Sequence, residues 1–194
     1  MKGVYNMIES FTGLPGQGKT YHMTKKAYYY CLLKKKDVYA NYKLNFGEKL
    51  NHRVHYFKEL SELENVTNAL ILVDEAGIYL PSQAWKDIPF EFIRKIRQHR
   101  HDGLDLWYTA QDSQDVATYL RRITQFDRQF SRISKLCFEK VINPRTKAKV
   151  GFDISFLNKK FYSMYDTTEN VDLADFVKNK LDSKNIKVKH KSMI

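Results

Sequence analysis

Cysteine is nearly absent from this 194-residue chain: only Cys31 and Cys137 occur. One falls in an expected helix and the other in an expected strand, so both read as reduced and structural rather than as a disulfide framework. Long apolar runs are missing too. None approaches the roughly 20 residues that a membrane-spanning helix needs, and the N-terminus has no signal-peptide core. A soluble intracellular protein is therefore expected. Acidic residues are outnumbered, 22 against 33 Lys and Arg, for a formal charge of +11. That excess suits contact with nucleic acid or another anionic surface, with the basic residues around Arg121, Arg122, Arg128, Arg132 and Lys135 as the expected phosphate contacts, and it also suits a merely soluble basic protein. No Cys/His spacing fits a zinc site. His99 and His101 stand at i and i+2, which do not share a helix face. There is no serine nucleophile elbow, no internal repeat and no low-complexity block.

What is present is concentrated near the N-terminus. Gly13-Leu14-Pro15-Gly16-Gln17-Gly18-Lys19-Thr20 is G-x-x-x-x-G-K-T, a phosphate-binding loop. Residues 5–11 before it read as a strand and residues 20–33 after it as a helix, which is the setting the motif requires. The glycines let the backbone turn its N–H groups onto phosphate oxygens, and the helix N-terminus adds its positive dipole end. Lys19 can reach the β- and γ-phosphates, and the Thr20 hydroxyl can ligate Mg²⁺. The candidate nucleotide-binding set is Gly13, Leu14, Pro15, Gly16, Gln17, Gly18, Lys19, Thr20 and Tyr21. ATP and Mg²⁺ are the expected cofactors.

With 43% hydrophobic residues the chain can build one sizeable core, so residues 1–194 are read as a single domain with a basic, flexible tail over 183–194. Residues 37–41 and 54–57 read as short strands, and 59–64 as a helix. Leu70-Ile71-Leu72-Val73 is a continuous apolar run, the mark of a strand buried on both faces. It ends in Asp74-Glu75, the Walker B pattern, on a strand expected beside the P-loop strand. Asp74 is the candidate Mg²⁺ residue and Glu75 the candidate general base.

Pro81 and Pro89 bracket a loop. A helix is expected over 90–101, stopped by Gly103, and a strand over 104–109, which would put the helix's C-terminal end, with Arg100, at the rim of the sheet's nucleotide edge. Gln111 follows that strand, where it could sense the γ-phosphate, orient the water, or simply make a turn. Residues 113–123 have helical spacing. Residues 130–141 and 147–156 alternate with period two around the turn signal Asn143-Pro144-Arg145-Thr146, so a β-hairpin is expected to extend the sheet. A short strand is expected within 157–165 and an amphipathic helix over 171–181. The fold class is thus α/β: a RecA-like P-loop NTPase with a mostly parallel sheet flanked by helices.

Three segments together, G-L-P-G-Q-G-K-T, L-I-L-V-D-E-A and R-Q-H-R-H-D-G-L-D-L-W-Y-T-A-Q-D, resemble the HerA/FtsK superfamily of DNA-pumping ATPases. The likeness is strongest to its viral branch, the Zot-like assembly proteins of filamentous phages and the genome-packaging ATPases of membrane-containing icosahedral viruses. The resemblance implies that Gln111 is the family's glutamine after the next strand. It implies that Arg100, with Arg97 in reserve, reaches the neighbouring subunit's nucleotide. It implies a homo-oligomeric ring, commonly a hexamer, that moves DNA without reading its sequence, with viral capsid or membrane assembly components as partners. Zot-like proteins usually continue into a transmembrane helix. This sequence does not, which favours a packaging motor in the host cytoplasm, docked at a virion vertex or the inner membrane, over an extrusion ATPase. The loop form G-x-P-G-x-G-K-T also occurs in AAA+ ATPases, which follow the sensor strand with a helical lid rather than a hairpin. A nucleotide switch that is not a motor is a further reading.

Overall fold

The computed structural model describes residues 6–166. The helix expected over 171–181 and the basic tail lie outside the described residues. The frame is an eight-stranded sheet in the order β4-β2-β5-β6-β1-β7-β8-β9. Its strands are β1 (Ile8–Thr12), β2 (Asp37–Ala40), β4 (Val54–Tyr56), β5 (Ala69–Val73), β6 (Asp105–Ala110), β7 (Phe126–Ile133), β8 (Leu136–Ile142) and β9 (Lys149–Phe156). From β4 to β7 all neighbours are parallel; β8 and β9 then add on antiparallel. A separate two-stranded pairing joins β3 (Lys43–Leu44) to β10 (Tyr165–Asp166).

The central strands are buried on both faces, which is why β5 reads as an unbroken apolar run. Ala69, Ile71 and Val73 of β5 point into one core layer, and Leu70 and Leu72 into the other. The second layer is closed by α1 (Lys19–Lys34), through Tyr21, Met23, Ala27 and Cys31. The first is closed by α2 (Ala76–Tyr79), α3 (Phe90–Arg97) and α4 (Thr118–Ile123), through Tyr79, Phe92, Ile96 and Leu120. Both cysteines are buried and free. No helix among the described residues is long and apolar enough to cross a membrane.

Several expectations need correction. The Walker B strand β5 is not beside the P-loop strand β1; β6 lies between them. Residues 59–64 form only a 3-10 turn, Leu60–Leu63. The helix expected over 90–101 stops at Arg97. The buried His99 ring bonds through Nδ1 to the Ile96 carbonyl at 2.9 Å, the acceptor that a continued helix would offer to the Arg100 amide. The segment 113–123 is broken as well. Val116 is extended and bridges Pro81, and the Ala117 amide donates to the Leu80 carbonyl, so α4 begins only at Thr118. Residues 130–141 are two strands, not one. A turn at Ser134, φ 55°, separates β7 from β8, and the expected hairpin is β8–β9. Within 157–165 a short helix, α5 (Lys159–Tyr162), precedes β10.

Candidate nucleotide site

Parallel strands place their C-terminal ends on one edge of the sheet. There the turns after β1, β5 and β6 bring together residues far apart in sequence. The loop between β1 and α1 turns through left-handed or otherwise positive φ at Gly13 (144°), Gly16 (74°) and Gly18 (90°). At Gly13 the requirement is also spatial, since an added Cβ would lie 2.6 Å from the Phe130 carbonyl oxygen on β7. Gly18 caps α1, so the first amides of that 16-residue helix face the loop's interior. Leu14, Pro15 and Gly16 form the exposed tip.

Lys19 is buried, and its ammonium donates to the loop carbonyls of Gly13 at 2.9 Å and Leu14 at 3.2 Å. Burial lowers its pKa, opposed by the charges of Glu75 and Asp74. Tyr21 is buried, with its hydroxyl accepting from the Asn158 amide at 2.8 Å and its ring against Tyr162. Its side chain therefore anchors the α5 segment to α1. Any contact it makes with phosphate falls to its backbone amide.

Asp74 is the hub. Its Oδ1 accepts from Thr20 Oγ1 at 2.8 Å and from Thr109 Oγ1 at 2.7 Å. Asn41, at the end of β2, clamps its backbone from both sides: the Asp74 amide donates to Asn41 Oδ1 at 2.7 Å, and Asn41 Nδ2 donates to the Asp74 carbonyl at 2.9 Å. Burial raises the Asp74 pKa, and the bonds from Thr109 and Thr20 pull it back. Thr109 comes from β6, so the intervening strand supplies the residue that links Asp74 to its neighbours.

Glu75 stands at φ 51°, a left-handed conformation that a non-glycine residue rarely adopts, at the N-cap of α2. Its amide donates to Thr109 Oγ1 at 2.9 Å, which fixes the turn. Burial and the Asp74 charge push its carboxyl up; Lys19 and a hydrogen bond from the Gln111 side chain pull it down. Gln111 thus reaches Glu75 from the end of β6. Thr109 and Asn41 were not picked out in the sequence. Single polar residues at strand ends give no signal until the strand order is known.

The fit to a magnesium nucleotide rests on the donors present. Thr20 Oγ1 and Asp74 Oδ1 are hard oxygens 2.8 Å apart, close to the roughly 2.9 Å separating adjacent ligands of an octahedral ion with 2.0–2.1 Å bonds. Among the described residues no group of three His, Cys, Asp or Glu side chains could hold a metal by itself. Mg²⁺ at such sites takes one or two protein oxygens and completes its shell with phosphate and water. The two carboxylates, the lysine and the loop amides fit that division.

Arg100 is not part of this cluster. It is exposed in the turn before β6, and its carbonyl accepts from Asn6, just ahead of β1. That is the N-terminal edge of the parallel strands, opposite the P-loop. The expected position at the nucleotide edge is corrected: a helix that feeds the start of a parallel strand must end at the far edge. Among the arginines expected to touch DNA, Arg128 is withdrawn from the surface, bonded between the carboxylates of Glu9 and Glu139.

Strand order and site together define the class, a RecA-like P-loop nucleoside-triphosphatase fold with Walker A and Walker B elements. The sequence model of the family described as zonular occludens toxin (Zot) matches residues 7–188, and the chain belongs to that family. No curated protein matches its sequence. Among solved structures it is similar to the N-terminal domain of zonular occludens toxin from Neisseria meningitidis, at 17% identity and TM-score 0.59, over 84% of this chain and 100% of that one. It is similar to the genome packaging NTPase B204 of Sulfolobus turreted icosahedral virus 2 in complex with AMP, at 11% identity and TM-score 0.58, over 79% and 98%. It is also similar to B204, the DNA-packaging ATPase from Sulfolobus turreted icosahedral virus, at 12% identity and TM-score 0.54, over 78% and 98%.

Proposed function

We propose that the chain is an ATPase motor of virus assembly that moves DNA without reading its sequence, working as a homo-oligomeric ring, commonly a hexamer. The observation that carries the reading is the joined set Lys19, Thr20, Asp74, Glu75 and Gln111 at one sheet edge. Lys19 and the loop amides hold the triphosphate. Thr20 and Asp74 hold Mg²⁺, which supplies charge neutralisation on the phosphates when bound. Glu75 accepts the proton of the attacking water, and Gln111, bonded to Glu75, aligns it. Arg100 lies at the sheet edge opposite its own P-loop, so a role in hydrolysis would be exerted on the next subunit of the ring. The formal charge of +11 supports a grip on phosphate backbone.

Genome packaging is the leading role, supported by the likeness to B204, described as a genome packaging NTPase. Membership of the Zot family favours a second role, assembly or extrusion of a filamentous phage with a membrane complex. In either case the work is done in the host cytoplasm, at a virion vertex or the inner membrane. ATP turnover measured alone, with single-stranded DNA and with duplex tests the motor. Stimulation by DNA supports it. A rate that ignores both forms of DNA but rises with a membrane assembly partner would replace it with the second role.

A further inference from the structure

On the sheet face away from α1 lies an open cleft of about 350 Å³ between α4, β7 and the turn joining β8 to β9. Four cationic side chains line it: Arg121 and Arg122 from the end of α4, and Arg145 and Lys147 from the turn. The turn is pinned there, because the Arg145 guanidinium donates to the Arg122 carbonyl at 2.7 Å. Arg121 donates through Nη2 to Thr118, while its Nε is buried with no hydrogen-bond partner among the described residues.

The single carboxylate in the lining, Asp127, is already engaged. It accepts from Ser10 and Thr12, each at 2.8 Å, and from Gln129 at 3.0 Å. None of the four cations forms an ion pair among the described residues. A second hollow of about 250 Å³ shares Ser113, Asp127 and Gln129 with the cleft and reaches Gly13 and Gln111. The basic cleft and the nucleotide edge therefore adjoin at these three residues and make up one groove-like surface, to which Asp112 adds a second carboxylate on the nucleotide side, its Oδ1 engaged by the Gln114 amide.

We propose that this groove seats the phosphate backbone of a polynucleotide, and that Ser113 passes its occupancy to Gln111 and so to Glu75; the inference rests on the motor reading above. Guanidinium, ammonium, hydroxyl and amide donors are the groups that contact phosphates and fix register without reading sequence. The one aromatic ring in the lining, Tyr108, is buried with its hydroxyl bonded to Thr124, so no face is offered to stack a base. Backbone recognition without base recognition is what a translocating contact needs. Ser113 begins the 3-10 turn directly after Gln111-Asp112, and Asp112 caps that turn by accepting from the Gln114 amide at 2.8 Å. Only Asp112 separates this turn from Gln111, and that short link is the route by which occupancy of the groove would reach Gln111.

The test uses the exposed pair Arg122→Glu/Lys147→Glu, with Arg122→Lys as a charge-conserving control. The probes are fluorescent single- and double-stranded oligonucleotides across a salt series. The wild type should lose affinity steeply with salt. The double variant should bind at least about tenfold more weakly, with a log–log salt slope shallower by about 2 for duplex, since each lost phosphate contact removes roughly 0.9. Its hydrolysis without DNA should stay at the wild-type rate while stimulation by DNA is lost, and Arg122→Lys should behave as wild type. A double variant that melts as the wild type does, yet keeps both salt slope and stimulation, would overturn the groove and leave the motor reading standing. A wild type that binds no oligonucleotide but retains a polyglutamate peptide would assign the groove to acidic protein and overturn both.

Discussion

Thr20 and Asp74 are 54 positions apart in sequence, yet the Thr20 hydroxyl donates to Asp74 Oδ1 at 2.8 Å, joining the P-loop helix to the Walker B strand across the intervening β6. The bond holds the two oxygens proposed above as Mg²⁺ ligands at a spacing that octahedral coordination uses. It also separates the roles of the residues on either side. Lys19→Ala should weaken triphosphate binding, read by titration with a fluorescent analogue, because the phosphate-facing charge is gone. Glu75→Gln should bind normally but hydrolyse at least about 100-fold more slowly, because only proton acceptance is removed. The same variant should melt higher than the wild type at neutral pH. The folded site raises the Glu75 pKa, so the neutral form is favoured by folding. The gain should vanish as the pH falls below the ordinary carboxylate range, where the wild-type group is protonated too. Hydrolysis at the wild-type rate would remove Glu75 from the role of base.

Arg128 ties the meander β7–β8–β9 to β1, held between Glu9 on β1 and Glu139 on β8 with little of any of the three side chains exposed. Lys26 is the other cation near Glu139, at 3.8 Å. Arg128→Ala would leave two buried carboxylates short of their counter-charge. Removing one partner of such a group costs about 3–5 kcal/mol. At this chain length that corresponds to a melting temperature lower by on the order of 10 °C. A calorimetric scan showing a shift under about 2 °C would mean that the network contributes no more than an exposed pair does.

His22 is buried beside the P-loop, its ring stacked on Phe130 with centroids 4.7 Å apart, and burial lowers its pKa to about 4. The unfolded chain binds this proton near pH 6.5, so the unfolded state carries more protons between about 6.5 and about 4. Stability should therefore fall as the pH drops through that window. His22→Phe keeps a ring on Phe130 and removes the proton. Denaturant titrations at pH 7.5 and pH 4.5 should show the variant gaining on the wild type at the lower pH, by at most about 3 kcal/mol. An equal difference at both pH values would show that the histidine titrates alike in both states.

Arg100 lies on the sheet edge away from its own P-loop, and the part proposed for it in hydrolysis is therefore one played on another copy. Arg100→Ala and Lys19→Ala should each be inactive alone. Mixed, some interfaces pair an intact Lys19 site with an intact Arg100, and ATP turnover should partly return. Mixed rings that are demonstrably formed and as inactive as their components would remove Arg100 from a role in trans.

The nucleotide site was legible where its chemistry is local. Gly13 to Thr20 and the run Leu70–Val73 followed by Asp74-Glu75 carry their own signature, because a tight anion-binding turn and a doubly buried strand each restrict residue type strongly. Strand order leaves no such mark. Nothing in residues 104–109 says that this strand inserts between the other two, so the bridging role of Thr109 and the far-edge position of Arg100 were out of reach. Arg128 misled for a related reason. On an alternating strand an arginine reads as a solvent-facing charge, and only the pairing of β7 with β1 and β8 puts a glutamate on each side of it. The early end of α3 depends on one buried imidazole taking a helix carbonyl, which spacing does not reveal.

The close approach of Gly13 to the Phe130 carbonyl gives the phosphate loop a hard stop on one side. Any side chain at position 13 would have to push the phosphate loop and β7 apart, so the two backbones are gauged to each other: the loop that carries Lys19 can sit where it does only while position 13 stays bare.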